Sequence, residues 1–137
     1  YTVFPKPGEL DNLVAYLLLG GPDATLARRV FETDSAWAAP LLWRSEFRSV
    51  LAAFMRQRGL TVADAWRAHE LADGLLGGHE FSVPGERVLH LVASSPCSAY
   101  DCEYVALAEE LGVPLVTGDR QVLRAFADRA IHPKDFV

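Results

Sequence analysis

Short apolar segments alternate with longer amphipathic segments along most of this chain. In the long segments the apolar residues recur at helical spacing, as Phe47, Leu51 and Phe54 do, whereas the short segments are almost continuously apolar. The predicted helices cover a uniformly apolar segment at residues 13–19, residues 24–33, 44–59 and 61–76, a segment opened by Pro84, a segment opened by Asp101 and residues 120–127. The predicted strands cover residues 37–43, 79–83 and the segment that ends at Asp119, with residues 130–137 as a tail or an edge strand. Residues 1–9 contain two prolines and a glycine and lack the alternation of an ordinary strand, so the pattern assigns them no element.

Short strands followed by longer helices are typical of βα units, in which the strands run parallel. The alternation therefore predicts an α/β sandwich with a mostly parallel sheet. The chain has 137 residues, which is the length of one domain, and we expect residues 1–137 to form a single unit.

Composition narrows the function classes. Half of the residues are hydrophobic and the formal net charge is −5, so we expect neither a disordered chain nor a basic nucleic-acid-binding surface. Cys97 and Cys102 form no CxxC pair and have no histidine at zinc-ligand spacing, which favours reduced thiols in a cytoplasmic protein. The apolar segment at residues 10–19 is shorter than the roughly twenty residues of a membrane span, so no membrane association is expected.

Four carboxylates stand at the starts of predicted helices: Asp11, Glu46, Asp101 and Asp119. Taken one at a time, each is explained as a helix cap or as an anion in a first turn, and Ser98 to Asp101 fits a capping box. Together they suggest a shared site, because helix starts and strand ends lie at the same edge of a parallel sheet. Clustered carboxylates are stable in their ionised form mainly when a cation neutralises them, and all-oxygen ligands suit Mg²⁺ or Mn²⁺. Such a metal can polarise a phosphodiester and activate water.

Four motifs in order carry a resemblance to a known family. They are Asp11-Asn12 before a Leu-Val-rich helix, Trp43-Arg44-Ser45-Glu46-Phe47, Ser98-Ala99-Tyr100-Asp101, and Leu115-Val116-Thr117-Gly118-Asp119-Arg120. This series resembles the PIN-domain ribonucleases, and most of all the VapC-type toxins of toxin–antitoxin pairs. The resemblance covers nearly the whole chain from about Asp11.

The resemblance implies a three-layer α/β/α sandwich, a Mg²⁺- or Mn²⁺-dependent endoribonuclease, a homodimer, and inhibition by a cognate antitoxin. It also implies that Asp11, Glu46, Asp101 and Asp119 are the catalytic and metal-binding acids, with Asn12 and Thr117 as supporting residues. The N-terminus departs from the family pattern, because Pro5-Lys6-Pro7-Gly8-Glu9 replaces much of the apolar first strand. An alignment without a gap places Leu10 on the first acidic position, and a one-residue deletion places Asp11 there.

Arginines and aromatic residues extend the hypothesis. Arg44, Arg48 and Arg120 lie close to the predicted acids and could hold RNA phosphates, or they could be solvated or paired with nearby acids. Five aromatic residues could stack on bases: Trp37, Trp43, Phe47, Phe54 and Trp66. Core packing, or an apolar groove on the 44–76 hairpin for a partner helix or peptide, is the preferred interpretation. The same hairpin could form a two-fold interface.

Three functions compete at this point. The first is the endoribonuclease, and the second is a catalytically impaired module of the same fold that binds RNA or a protein partner. The third is a small phosphatase or nucleotide-binding domain, which the sequence disfavours: it has no GxGxxG or GxxxxGK[ST] motif, and no strand ends in an aspartate with a second acid two residues later.

Overall fold

A five-stranded parallel sheet forms the centre of the protein. The computed structural model describes all 137 residues, except for the side chain of Asp23. The strands are β1 (Thr2–Val3), β2 (Trp37–Pro40), β3 (Glu80–Phe81), β4 (Leu115–Val116) and β5 (Ala130–Ile131). Their order in the sheet is β3-β2-β1-β4-β5, and every neighbouring pair is parallel. The predicted parallel sheet is therefore confirmed.

Helices flank the sheet and complete a three-layer α/β/α sandwich, as expected. They are α1 (Leu10–Val14), which continues as a π-helical turn (Ala15–Leu19), α2 (Thr25–Thr33), α3 (Trp43–Arg58), α4 (Val62–Leu76), α5 (Gly85–Ala93), α6 (Ala99–Leu111), α7 (Arg120–Ala125) and α8 (Pro133–Phe136). Helix α6 packs against β1, β2 and β4. None of the described helices is both long enough and apolar enough to cross a bilayer.

The central strand lies in the segment to which the sequence pattern assigned no element. Val3 pairs with Ala38 of β2 on one side and with Leu115 of β4 on the other, and the backbone N–H of Phe4 donates to the carbonyl of Ala38 at 3.1 Å. Val3 and Phe4 are completely buried. A strand covered on both faces has no polar face, so it shows no alternation, and this one is too short for its apolar run to stand out.

The other elements are close to their predicted bounds. The predicted strand at 37–43 is shorter than expected, because α3 begins at Trp43, and the C-terminal segment is both an edge strand and a short helix. Gly59 and Gly112 end α3 and α6 in the left-handed conformation, with φ of 68° and 67°, where glycine carries no steric penalty. These boundaries place the first turns of α3, α6 and α7 at one edge of the sheet.

Candidate functional site

Charged side chains from four segments meet beyond the carboxyl ends of the parallel strands. Lys6 and Glu9 follow the central strand β1, Glu46 lies in the first turn of α3 after β2, Asp101 lies in the first turn of α6, and Asp119 follows β4. This is the edge at which ligands bind in open parallel sheets. We refer to these five residues as the Lys6 cluster.

Lys6 connects two of the acids. Its Nζ donates to Oδ1 of Asp101 at 2.9 Å and to Oδ2 of Asp119 at 3.2 Å, and the lysine side chain is only 2% exposed. Burial acts to lower the pKa of the ammonium group, but the hydrogen bond and charge of Asp101, together with the charges of Glu9 and Asp119, outweigh burial and raise that pKa. Lys6 is therefore a fixed positive charge among the carboxylates.

Glu9 is the acid that the sequence analysis missed. Its Oε1 accepts hydrogen bonds from the Thr117 hydroxyl at 3.1 Å and from the backbone N–H of Gly118 at 2.8 Å. Its Oε2 is buried and has no hydrogen-bond partner. Burial raises the pKa of Glu9, against the lowering effects of the Gly118 N–H, Lys6 and Thr117. A buried carboxylate oxygen without a partner is unfavourable while it is charged, and a proton or a cation would relieve that cost.

Glu46 shares a hydrogen bond with a buried phenol. The hydroxyl of Tyr104 donates to Oε1 of Glu46 at 3.2 Å. Burial raises the pKa of Glu46 to about 7, and the negative charge of Asp101 adds to the shift, while Tyr104 and Lys6 oppose it. A carboxyl group with this pKa can accept and release a proton near neutral pH.

Asp119 and Asp101 also have the structural roles considered for them. Oδ1 of Asp119 caps α7 by accepting from the N–H groups of Gln121 and Val122, while its Oδ2 binds Lys6. Burial alone would raise the pKa of Asp119, but the Val122 N–H and Lys6 outweigh burial and lower it. At the start of α6, the Ser98 hydroxyl accepts from the N–H of Asp101, as in the proposed capping box, and the Asp101 carboxylate is left for Lys6.

The Thr117 side chain contacts both Asp119 and Glu9. Its hydroxyl accepts from the backbone N–H of Asp119 at 3.0 Å and donates to Glu9. The residue is completely buried, so this hydroxyl has a fixed orientation. The predicted supporting role of Thr117 thus has a geometric counterpart.

Asp11 and Asn12 lie away from the Lys6 cluster. Asp11 is exposed on α1, and with Asn12, Phe54 and Arg58 it lines a separate cavity of about 240 Å³. None of the hydrogen bonds described for the cluster involves Asp11. Glu9, two residues earlier, makes the contact with Thr117 and Gly118. The sequence does contain one sign of this role, since Glu9 is a carboxylate directly before the apolar helix α1.

The predicted RNA-binding arginines have other partners or face solvent. Arg44 donates from Nε and Nη2 to the two carboxylate oxygens of Glu80, at 2.7 and 2.6 Å, and from Nη1 to Asp73 at 2.6 Å. Arg48 donates from Nε to Nε2 of His69 at 3.1 Å. Arg120 is exposed next to Asp119. Of the three, Arg120 is the one whose position leaves it available beside the cluster.

The predicted apolar groove lies on the α3–α4 hairpin. It is an open surface groove of about 310 Å³, lined by Arg48, Leu51, Ala52, Met55, Val62, Ala65, Trp66 and His69. Trp66 is 58% exposed there, whereas Trp43 and Phe47 are completely buried. The aromatic residues of the hairpin are thus mainly core, with one tryptophan on the surface of the groove.

The donors of the Lys6 cluster fit a hard divalent cation in their chemistry. They are all carboxylates, and Oε2 of Glu9 is buried without a partner, which suits Mg²⁺ or Mn²⁺. In the conformation described, however, no three acidic, histidine or cysteine side chains among the described residues form a ready metal-ligand set. The Lys6 ammonium stands between two of the carboxylates, so a metal requires that ammonium to move.

No known protein family matches the sequence of this chain, and no curated protein matches it either. What can be said of its function therefore follows from the geometry and electrostatics of the Lys6 cluster.

Proposed function

We propose that this protein is a metal-dependent endoribonuclease of the PIN type that its sequence resembles. The observation that carries the proposal is that Asp101 and Asp119 share the Lys6 ammonium at the carboxyl edge of a parallel sheet, with Glu9 and Glu46 near enough to interact with the same charge. Carboxylates of this kind are the donors that Mg²⁺ and Mn²⁺ use at phosphodiester-cleaving sites.

Each residue has a distinct part in this proposal. Glu9, Asp101 and Asp119 would hold the metal, which supplies Lewis-acid chemistry to the phosphodiester when bound. Thr117 orients Glu9 through the hydroxyl hydrogen bond. Glu46, whose pKa is about 7, would hold or release a proton at its carboxyl group.

RNA would approach over the exposed rim of the cluster. Arg120 lies there, exposed and directly after Asp119, and a guanidinium in this position can bind a phosphate flanking the cleaved bond. The two buried free thiols, Cys97 and Cys102, are consistent with our further proposal that the protein works in the reducing cytoplasm.

The test is cleavage of structured RNAs with Mg²⁺ or Mn²⁺, compared with EDTA. We expect Asp101→Asn, Asp119→Asn and Glu9→Gln each to reduce the cleavage rate by about a hundredfold or more. Asp11→Asn is the matched control, because it makes the same chemical change on α1, outside the cluster, and we expect it to cleave like the wild type. Equal rates for the wild type and the three cluster variants would contradict the nuclease proposal.

The second candidate is a catalytically impaired module of the same fold that binds a protein partner. Two observations favour it: the Lys6 ammonium already neutralises Asp101 and Asp119, and the apolar groove with exposed Trp66 and Val62 offers a docking surface. A cognate antitoxin or a second copy of the chain would occupy that groove. An inactive wild type that nevertheless binds such a partner, with binding lost in Trp66→Ala, would favour this candidate.

A further inference from the structure

A lysine in the middle of a carboxylate cluster is the unusual feature of this site. The chain contains two lysines. Lys134 is exposed, whereas Lys6 is 2% exposed and binds two aspartates, which lie 95 and 113 residues away in the sequence. Lysine is rarely buried this far without a specific electrostatic reason.

The backbone around Lys6 holds it in this place. Pro5 and Pro7 fix the backbone angle φ on both sides of the lysine. The Lys6 carbonyl accepts a hydrogen bond from the N–H of Glu9 at 2.8 Å, so the residue is part of the turn that leads into α1. The position of Lys6 is thus determined by the same turn that positions Glu9.

We propose that Lys6 is a built-in competitor of the divalent cation, whose ammonium occupies the cation position between Asp101 and Asp119 until a metal displaces it. The inference rests on the proposed function, because it concerns how the same site is loaded. It goes beyond that function by assigning to Lys6 the control of metal affinity.

Electrostatics makes the two cations mutually exclusive. Mg²⁺ bound to carboxylate oxygens lies about 2.0–2.1 Å from them, and the Lys6 Nζ is 2.9 and 3.2 Å from an oxygen of Asp101 and of Asp119. A metal on the same two oxygens would stand next to a positive charge in a poorly solvated site, where like charges repel strongly. Occupation by the metal therefore requires the ammonium to leave.

The displaced ammonium has a route to water. Asp119 is 32% exposed at its side chain, and Gly8 is exposed and has no side chain to cover the lysine. A Cβ placed on Gly8 would lie 3.9 Å from Nζ. Because the lysine side chain has four methylene groups, its charged end can move into solvent while the stem stays close to the protein.

The first test measures Mn²⁺ binding, without RNA, to the wild type, Lys6→Met and Lys134→Met. Both substitutions remove one positive charge, so Lys134→Met controls for the change in net charge. We expect Lys6→Met to bind Mn²⁺ about tenfold more tightly than the wild type, equivalent to ~1.4 kcal/mol. We expect Lys134→Met to bind like the wild type. Equal affinities for all three folded proteins would overturn the proposal.

The second test uses the wild type, so that it does not depend on the folding of a variant. With lysine ¹⁵N-labelled at Nζ, the buried ammonium of Lys6 should exchange its protons slowly with water and give a sharp N–H signal, unlike the exposed ammonium of Lys134. As Mg²⁺ is added, we expect the Lys6 signal to broaden through fast exchange with water, as that of Lys134 already does. A Lys6 signal that stays unchanged throughout the titration would overturn the proposal.

The two proposals can fail separately. If Lys6→Met binds Mn²⁺ more tightly but no form of the protein cleaves RNA, the competition stands and the nuclease proposal fails. If the wild type cleaves RNA with Mg²⁺ and Lys6→Met binds Mn²⁺ no more tightly, the nuclease proposal stands and the competition fails.

Discussion

Replacement of Thr117 by valine tests whether its hydroxyl holds the two ends of the Lys6 cluster together. The hydroxyl makes two hydrogen bonds inside the protein, one to the Glu9 carboxylate at 3.1 Å and one from the Asp119 N–H at 3.0 Å. Valine keeps the shape of threonine but makes neither bond. A hydrogen bond to a charged group contributes about 1.5–3 kcal/mol, and an unsatisfied N–H costs about 1–3 kcal/mol. We therefore expect Thr117→Val to lower the free energy of unfolding by about 3 kcal/mol.

The assay is urea unfolding followed by the fluorescence of the buried tryptophans Trp37 and Trp43. With a slope of about 2 kcal/mol per molar urea, the expected loss lowers the midpoint by about 1.5 M. Thr33→Val is the matched control, because the Thr33 hydroxyl makes only an exposed bond to the Arg29 carbonyl. We expect that variant to stay within about 0.5 kcal/mol of the wild type.

The destabilisation expected for Thr117→Val should depend on pH, and the ionisation of Glu9 determines the direction. The Thr117 hydrogen bond lowers the pKa of Glu9, because it stabilises the carboxylate form. Without it the pKa of Glu9 rises further, so Glu9 takes up a proton more easily and the variant escapes part of the penalty in acid. The difference between Thr117→Val and the wild type should therefore be larger at alkaline than at acidic pH. If Thr117→Val is destabilised no more than Thr33→Val at every pH measured, the role assigned to the Thr117 hydroxyl is refuted.

Two other predictions concern titration and ion pairing. The pKa of Glu46 is raised to about 7, so the protonated form is favoured by folding, and its contribution to stability is present below the unfolded pKa and is lost as pH rises through about 7. Glu46→Gln should remove this loss. The free energy of unfolding of the variant, relative to that of the wild type, should therefore increase as the pH rises through about 7. A difference between the two proteins that does not change with pH would contradict this prediction. Arg44→Lys should destabilise the protein by about 1 kcal/mol, because lysine cannot make the two-pronged bond to Glu80 and also reach Asp73. The loss should shrink in high salt, and an unchanged melting temperature in low salt would rule it out.

The elements with a strong local signal could be predicted from the sequence. The spacing of apolar residues in α3 and α4 and the Gly112 stop of α6 are local features, and the structure has these helices close to their predicted bounds. The convergence of Glu46, Asp101 and Asp119 was also predictable, because helix starts share an edge with the strand ends of a parallel sheet. Topology was enough to bring these three together.

The central strand and the first acid could not be predicted in the same way. The strand Thr2–Val3 is recognised by its partners in β2 and β4, which a local pattern does not contain. Asp11 takes the first acidic position of the resemblance only with a one-residue deletion, and Glu9 reaches Thr117 and Gly118 through the turn at residues 5–9, whose shape only the fold supplies. Lys6 carries no local signal, because its contacts are with two aspartates about a hundred residues away in the sequence.

Those long sequence separations have a consequence for folding. The bonds from Lys6 and Glu9 join positions 95 to 113 residues apart, and each closes a loop that includes most of the chain. Loop closure of this length is entropically unfavourable until the intervening elements have packed. We therefore expect the ion pairs of Lys6 to be among the last contacts acquired, so that a partially folded chain lacks the Lys6 cluster and only the finished fold assembles its charges.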